Sequence, residues 1–107
     1  MNSLIIEISE KVHRAVYELD KLIDSPECSD KIAEIDKTIE VIKELVKPLN
    51  SDNSGKLLEL FPQVVDCLAE AKSALGSKET GDYKTLIWNA CELSHLIEVK
   101  SKNRTSK

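Results

Sequence analysis

Glycine, proline and aromatic residues are scarce in this sequence: its 107 positions include three glycines, three prolines and 4% aromatic residues. Hydrophobic residues make up 41% and charged residues 32%, which is typical of a globular protein rather than a disordered one. Leu, Ile, Glu and Lys are frequent, and they favour helix over sheet. At this length we expect a single domain with one core, built mostly from aliphatic side chains.

Long apolar runs and a basic leader are also missing. No stretch approaches the roughly 20 apolar residues that span a bilayer. In the N-terminal MNSLIIEISEK, Glu7 and Glu10 interrupt the apolar residues, so the pattern of a secretory signal is not present. Three cysteines, an odd number with no close pairing, are typical of a reducing compartment. We therefore expect a cytoplasmic protein that does not bind a membrane.

The only concentration of positive charge without intervening acids lies in one short segment at the end of the sequence. The formal net charge is −4, and the four basic residues of the last eight positions leave −8 on residues 1–99. Binding to phosphates needs a basic surface, so the charge argues against nucleic acid as a partner. We predict a single four-helix domain over residues 1–99 and a basic, flexible tail over residues 100–107.

Motifs that carry catalysis or bind cofactors are absent. The sequence has no glycine-rich phosphate loop, no nucleophile elbow and no paired CxxC or HExxH motif. Cys91 and His95 have the i, i+4 spacing of two ligands on one helix, and His13 could add a third, but zinc sites usually show tighter ligand sets. We predict no enzyme activity, no cofactor and no metal site.

Four helices follow from the 3.6-residue spacing of aliphatic side chains. The first covers residues 3–24, and the second begins at DSPE, with Ser25 as N-cap and Pro26 in the first helical position, and ends near Pro48. Beyond the turn signal SDNSG, a third helix runs to a C-cap at Gly76. The fourth helix is expected over residues 82–100.

Pro62 interrupts the third helical stripe. The apolar spacing from Leu57 to Leu75 passes straight through this proline, which removes a backbone donor and crowds the preceding turn. Two interpretations are open: a helix that kinks at Pro62, which we favour, or a short turn followed by a helix that begins there.

Helices of about 20 residues with short polar connections favour antiparallel neighbours. The predicted fold class is therefore all-α, a four-helix up-and-down antiparallel bundle. A domain-swapped or helix-paired dimer is the main alternative architecture.

The first and last predicted helices each carry a second stripe, on the side opposite their core-facing residues. The predicted core-facing residues include Leu22 in the first helix and Tyr83, Leu86, Ala90, Leu93 and Ile97 in the last. The last helix places the only Trp of the chain there, and the first places a Tyr; each stripe also contains one of the two histidines. In an up-and-down bundle these helices are neighbours, so the stripes can form one partner-binding surface. The predicted residues of this surface are Ile6, His13, Tyr17, Trp88, His95 and Val99. Alternatively, Trp88 and Tyr17 cover the seam between the two helices.

Two segments, GKLLELFPQVVDCLAEAK (55–72) and GDYKTLIWNACELSHLIE (81–98), resemble the later part of small helical proteins of Gram-positive bacteria, some related to flagellar export chaperones. The shared pattern is a Gly-Lys turn, an apolar run that crosses a proline, and a Gly-Asp-Tyr helix start. The resemblance covers about a third of the chain, and Trp88, Asn89 and His95 depart from it. It implies a chaperone or adaptor that binds another protein through a helix.

Two other functions are compatible with the sequence. A small acidic bundle can be an immunity protein, antitoxin or inhibitor that blocks a macromolecular target, with charge steering the association. A structural homodimer would instead use the second stripes to pair two copies of the chain.

Overall fold

The computed structural model describes residues 3–25, 30–50, 52, 55–76 and 82–105. Its helices are α1 (Ser3–Asp24), α2 (Lys31–Val46), a 3-10 helix (Gly55–Glu59), α3 (Leu60–Gly76) and α4 (Asp82–Thr105). Each α-helix packs on the next one in sequence, and α1 also packs along α4, within an elongated body of 46 × 20 × 20 Å. The predicted all-α, four-helix up-and-down antiparallel bundle is confirmed.

The core is aliphatic, as the scarcity of aromatic residues predicts. Phe61 is the one aromatic side chain among the buried hydrophobic residues that the structure describes. The largest fully buried side chains from the four α-helices include Ile5, Val12, Val16, Ile23, Ile35, Ile42, Phe61, Val64, Leu68, Ile87 and Ile97. On α1, α2 and α3 these residues follow the predicted stripes, but Leu22, expected in the core, is exposed.

The buried side of α4 is rotated from the predicted one. Residues with alternating spacings of three and four are buried: Ile87, Ala90, Ser94, Ile97 and Ser101. The leucines and tyrosine expected in the core, Tyr83, Leu86 and Leu93, are only partly buried. Two serines thus occupy core positions of α4.

The start of α2 differs from the prediction. Asp30 is its N-cap, and the Asp30 carboxylate accepts a hydrogen bond from the Ala33 N–H at 3.0 Å. The Ser25 N–H instead donates to the Leu22 carbonyl at the end of α1, so the predicted N-cap at Ser25 is wrong. Residues 26–29, which include the predicted first helical position, lie outside the described residues.

Pro62 lies in the first turn of α3, which begins at Leu60 directly after the 3-10 helix. A first-turn proline is tolerated because its missing N–H has no partner inside the helix. The favoured interpretation, a helix kinked in its middle at Pro62, is therefore wrong, and the alternative of a helix that begins near the proline describes the structure.

The last helix is longer than predicted and continues to Thr105. Ser101 is buried, and the Lys102 ammonium lies 3.0 Å from the Glu98 carboxylate and 3.6 Å from that of Glu10. These contacts extend the pairing of α1 with α4 past Lys100, where the fourth helix was predicted to end, whereas the flexibility of the tail stays a prediction. Residues 106–107 lie outside the described part of the chain.

No helix in the described part of the chain combines the length and the apolar character needed to cross a membrane.

Candidate functional site

Small side chains line the contact between α1 and α4. Ser9, Ala90, Ser94 and Ser101 are completely buried, and the hydroxyl oxygens of Ser9 and Ser101 lie 3.1 Å apart across the two helices. Each serine hydroxyl also bonds a backbone carbonyl one turn earlier on its own helix. Burial of these polar groups is therefore compensated by hydrogen bonds.

A groove of about 510 Å³ runs along the outer side of this seam. Its lining, here called the α1–α4 groove, consists of His13, Tyr17, Trp88, Cys91, Glu92, His95, Leu96 and Val99. Two of these residues come from α1 and six from α4, so the groove exists only because the bundle makes the first and last helices neighbours.

The groove collects most of the exposed apolar surface. Among the described residues the exposed large hydrophobic side chains are Tyr17, Leu22, Val41, Trp88, Leu96 and Val99, and four of these six line the groove. Trp88 keeps 57% of its surface accessible and Tyr17 keeps 49%. An isolated bundle thus leaves about half of both aromatic side chains uncovered, whereas Trp and Tyr are the residues most often buried at the centre of protein interfaces.

A chain of hydrogen-bonded side chains closes one edge of the groove. The His13 Nδ1 atom lies 3.0 Å from Glu98 Oε1, and Lys102 Nζ lies 3.0 Å from Glu98 Oε2. Partial burial alone raises the pKa of the Glu98 carboxyl, but the hydrogen bonds from Lys102 and His13 outweigh burial and hold the pKa below its usual value. Glu98 is therefore a charged link that fixes His13 of α1 against α4.

The two histidines meet on the groove wall. Their ring centroids are 5.2 Å apart, and the ring planes are tilted by 51°. On the α1 side, Lys21 Nζ lies 5.1 Å from the centroid of the Tyr17 ring, within the range of a cation–π contact. The groove thus presents aromatic and imidazole surfaces with polar groups at the edges.

Cys91 has the character of a packing residue rather than a nucleophile. Burial, and then the nearby carboxylates Asp20 and Glu92, raise the pKa of its thiol, so the thiol stays protonated at neutral pH. Among the described residues, no group of three His, Cys, Asp or Glu side chains is arranged to hold a metal ion.

A second cavity, of about 310 Å³, lies between α2 and α3. Its lining includes the buried core residues Ile42 and Phe61, together with Pro62, and Lys43 and Asp66 stand at its edges. None of the exposed large hydrophobic side chains lies there. Because no exposed large hydrophobic side chain among the described residues lines this cavity, the α1–α4 groove is the stronger candidate site.

Five of the six predicted surface residues line the α1–α4 groove: His13, Tyr17, Trp88, His95 and Val99. Ile6 is half-buried and lies outside the lining. The prediction missed Cys91, Glu92 and Leu96, of which Leu96 follows His95 and falls between the core stripe and the second stripe. The position of Leu96 beside the second stripe on a helical wheel could have identified it.

No protein-family model, curated protein or solved structure matches this chain.

Proposed function

We propose that this chain is a non-catalytic, cytoplasmic protein-binding bundle of the chaperone or adaptor kind, and that its α1–α4 groove receives a helix of a partner protein. The observation that carries the proposal is the clustering of four of the six exposed large hydrophobic side chains in one groove. Single exposed apolar residues are ordinary on a protein surface, but a cluster is typical of an interaction site.

The dimensions of the groove fit a helical segment. From Trp88 to Val99 the groove follows about three turns of α4, roughly 16 Å along the helix axis. Helices that bind in apolar grooves place anchors at positions i, i+3 or i+4, and i+7, which span about 10 Å and fit within this length. A partner segment of about 11 residues in helical form therefore suffices to cover Trp88, Leu96 and Val99.

The polar groups of the groove support binding rather than a reaction. His13 is held by the Glu98 carboxylate, and the Cys91 thiol has a raised pKa. A nucleophile needs a lowered pKa or an adjacent base. Such fixed side chains instead give a partner a defined surface against which to pack.

Site-specific photo-cross-linking in the cells of origin tests the proposal. A photoreactive amino acid replaces Trp88 or Leu96 in the groove, and Val41, which is exposed on α2, serves as the matched control. We expect adducts with the same partner protein from positions 88 and 96, and none from position 41. Each variant is first shown to be folded by its helical circular dichroism.

Three results would contradict the proposal in different ways. Adducts of twice the chain mass from both groove positions indicate a homodimer. A partner captured equally from position 41 and the groove positions indicates that no particular surface is used. The third result is a partner captured only from position 41 that is no longer captured when the neighbouring acidic residues are replaced by lysine. This result indicates an inhibitor that acts through its acidic surface.

A further inference from the structure

The two histidines of the chain lie on different helices but meet in the α1–α4 groove. His13 belongs to α1 and His95 to α4, and both line the groove. His13 is half-buried and His95 is exposed, so both rings are accessible from solution. Cys91 and His95 have the spacing of a ligand pair in the sequence, whereas the structure pairs the His95 ring with that of His13 across the two helices.

The separation of the two rings is that of two ligands on one tetrahedral metal ion. A Zn–N bond is about 2.0–2.1 Å long and the nitrogen lies about 1.2 Å from the ring centre, so each ring centre is about 3.2 Å from the ion. At the tetrahedral angle of about 109°, two such ring centres are about 5.2 Å apart. Ligands at right angles, as in square-planar Cu²⁺ sites, would bring them to about 4.5 Å. The ring centroids of His13 and His95 are 5.2 Å apart, which fits Zn²⁺.

The Glu98 carboxylate prepares His13 to bind a metal ion. His13 Nδ1 lies 3.0 Å from Glu98 Oε1, and the lowered pKa of Glu98 keeps this carboxyl charged at neutral pH. Because a carboxylate only accepts hydrogen bonds, Nδ1 carries the proton in the neutral His13 ring and Nε2 keeps its lone pair. The remaining ring nitrogens of both histidines form no hydrogen bond with a described residue. A carboxylate behind the ligand histidine is the usual arrangement at zinc sites, where it fixes the ring and raises its basicity.

The charges around the histidine pair are mixed. Glu92 and Glu98 are the nearest carboxylates on α4, but Lys102 is bound to Glu98, and Arg14 lies beside His13 in the adjoining cavity. The local charge therefore does not by itself select a cation. Selection comes from the ligand atoms, because imidazole nitrogens suit Zn²⁺ whereas Mg²⁺ and Ca²⁺ require oxygen ligands.

We propose that His13 and His95 bind one Zn²⁺ ion through their ring nitrogens, with Glu98 as the positioning residue behind His13. No third His, Cys, Asp or Glu of the described residues completes the ligand set. The other two coordination positions are therefore taken by water or by a side chain of the protein seated in the groove. The ion joins α1 to α4 within the α1–α4 groove. This site goes beyond the proposed function, because the isolated chain supplies both of its histidine ligands.

Nuclear magnetic resonance of the full chain, prepared without a histidine tag, tests the site. The chain has only two histidines, so a spectrum that correlates imidazole nitrogens with ring protons contains only two sets of signals. We expect added Zn²⁺ to shift one nitrogen of each ring, with both shifts saturating together at one ion per chain. On His13 the shifted nitrogen should be Nε2. Mg²⁺ should leave both rings unchanged.

Substitutions assign the ion to particular residues. His13→Ala and His95→Ala should each weaken Zn²⁺ binding by about tenfold or more, and Glu98→Gln by about tenfold. In the metal-free Glu98→Gln variant, the His13 signals should also lose the preference for a proton on Nδ1. Glu44→Gln is the matched control, because Glu44 is likewise bound by a lysine but lies on α2, which has no histidine. Its Zn²⁺ affinity should equal that of the wild type, and circular dichroism shows that all variants are folded.

Zn²⁺ that shifts neither ring or only one ring, or an affinity that both histidine substitutions leave unchanged, overturns the site. The ion would then bind elsewhere, for example at cysteine thiols, and the contact of the two rings would be packing alone, for which separations of about 4.5–7 Å are ordinary. The cross-linking experiment needs no metal ion. Adducts from positions 88 and 96, together with histidine signals that Zn²⁺ does not shift, would leave the proposed function standing and remove only this site.

Discussion

The two helix pairs of the bundle are built differently. Between α2 and α3 the buried side chains are large and apolar, such as Ile39, Ile42, Phe61 and Leu68, and Val41 is the one exposed large hydrophobic residue described on either helix. Along α1 and α4, serines are buried while aromatic side chains face solvent. The α2–α3 pair buries nearly all of its large apolar side chains in the core. The α1–α4 pair leaves several of its own exposed to solvent.

The contrast separates two uses of apolar surface. Burial of a large hydrophobic side chain contributes about 1.5–3 kcal/mol to folding, and exposed Trp88 and Tyr17 forgo about half of that contribution. A bundle optimised only for stability would turn these side chains inward. Substitutions on the two helix pairs should therefore have unequal effects on stability, and the four predictions below run from the largest effect to the smallest.

Truncation of the aromatic core residue between α2 and α3 should be most damaging. Phe61 is 2% exposed, and Phe61→Ala leaves a cavity that the surrounding aliphatic side chains fill only in part. We expect a loss of about 3–5 kcal/mol in the free energy of unfolding, measured by urea denaturation. A loss below about 1 kcal/mol would show that the large buried side chains of the α2–α3 pair do not make the main contribution to stability.

Enlargement of a buried serine tests how close α1 and α4 lie. Ser94 is fully buried, so Ser94→Leu must push the two helices apart or adopt a strained rotamer. We expect a loss of about 1–3 kcal/mol in the free energy of unfolding. Ser73→Leu at an exposed position of α3 is the matched control and should change stability by less than about 0.5 kcal/mol. Equal effects at the two positions would contradict a close seam.

The Glu98 carboxylate should make the α1–α4 contact sensitive to acid. Hydrogen bonds from Lys102 and His13 lower its pKa below the usual 4.5 against the effect of burial. The charged carboxylate therefore stabilises the fold at pH values above 4.5, and this contribution is lost as pH falls through the lowered pKa. Glu98→Gln should cost about 1 kcal/mol near neutral pH.

The difference between wild type and Glu98→Gln should shrink as the pH falls below 4.5, which thermal unfolding at several pH values measures. Glu92→Gln on the same helix is the control, since Glu92 is exposed and forms no salt bridge with a described residue. A difference that stays constant with pH would mean that the Glu98 charge does not support the contact.

Removal of the indole should have the smallest effect on stability. Trp88 is 57% exposed, so Trp88→Ala should remove only the contribution of the buried part of the side chain, about 1 kcal/mol or less in the free energy of unfolding, followed by circular dichroism because no tryptophan remains. The same variant should lose the partner captured by cross-linking at Leu96. A stability loss comparable to that of Phe61→Ala would place the indole in the core and remove the contrast between the two helix pairs.

The fold was predictable wherever aliphatic residues alone set the pattern. The stripes of α1, α2 and α3 identify their buried sides because an aliphatic side chain gains from burial in any helical context. On α4 the buried side contains Ser94 and Ser101, and hydropathy alone does not identify a serine that satisfies its hydroxyl by bonding the carbonyl one turn earlier. The prediction therefore placed Leu86 and Leu93 in the core, whereas the structure buries the residues that follow them, Ile87 and Ser94.

Helix boundaries were less predictable than helix faces. Ser25 and Asp30 are both good N-cap residues, and the choice between them depends on how α2 packs, which local sequence does not encode. Residues 100–105 look like a solvated tail because they are basic and polar. The partner that draws Lys102 into the helix pairing, Glu10, is 92 residues away in sequence.

The groove residues that were predicted are those that the residue spacing within one helix identifies. The second stripes of α1 and α4 gave His13, Tyr17, Trp88, His95 and Val99, since each stripe repeats at helical spacing. The contribution of Leu96 and the contact between the two histidines depend on the angle at which the helices meet. That angle depends on contacts between distant residues, such as Ser9 with Ser101, which the spacing within one helix does not identify.

The pairing of α1 with α4 fixes where the chain enters and leaves the bundle. Because Ser9 and Ser101 face each other in an antiparallel pair, the start of α1 and the end of α4 lie at the same end. Trp88 precedes Thr105 by about 25 Å along α4. A linker, fluorophore or solid support joined before Ser3 or after Thr105 therefore emerges at one end of the molecule, and immobilisation through either terminus points the indole end of the groove towards the solution.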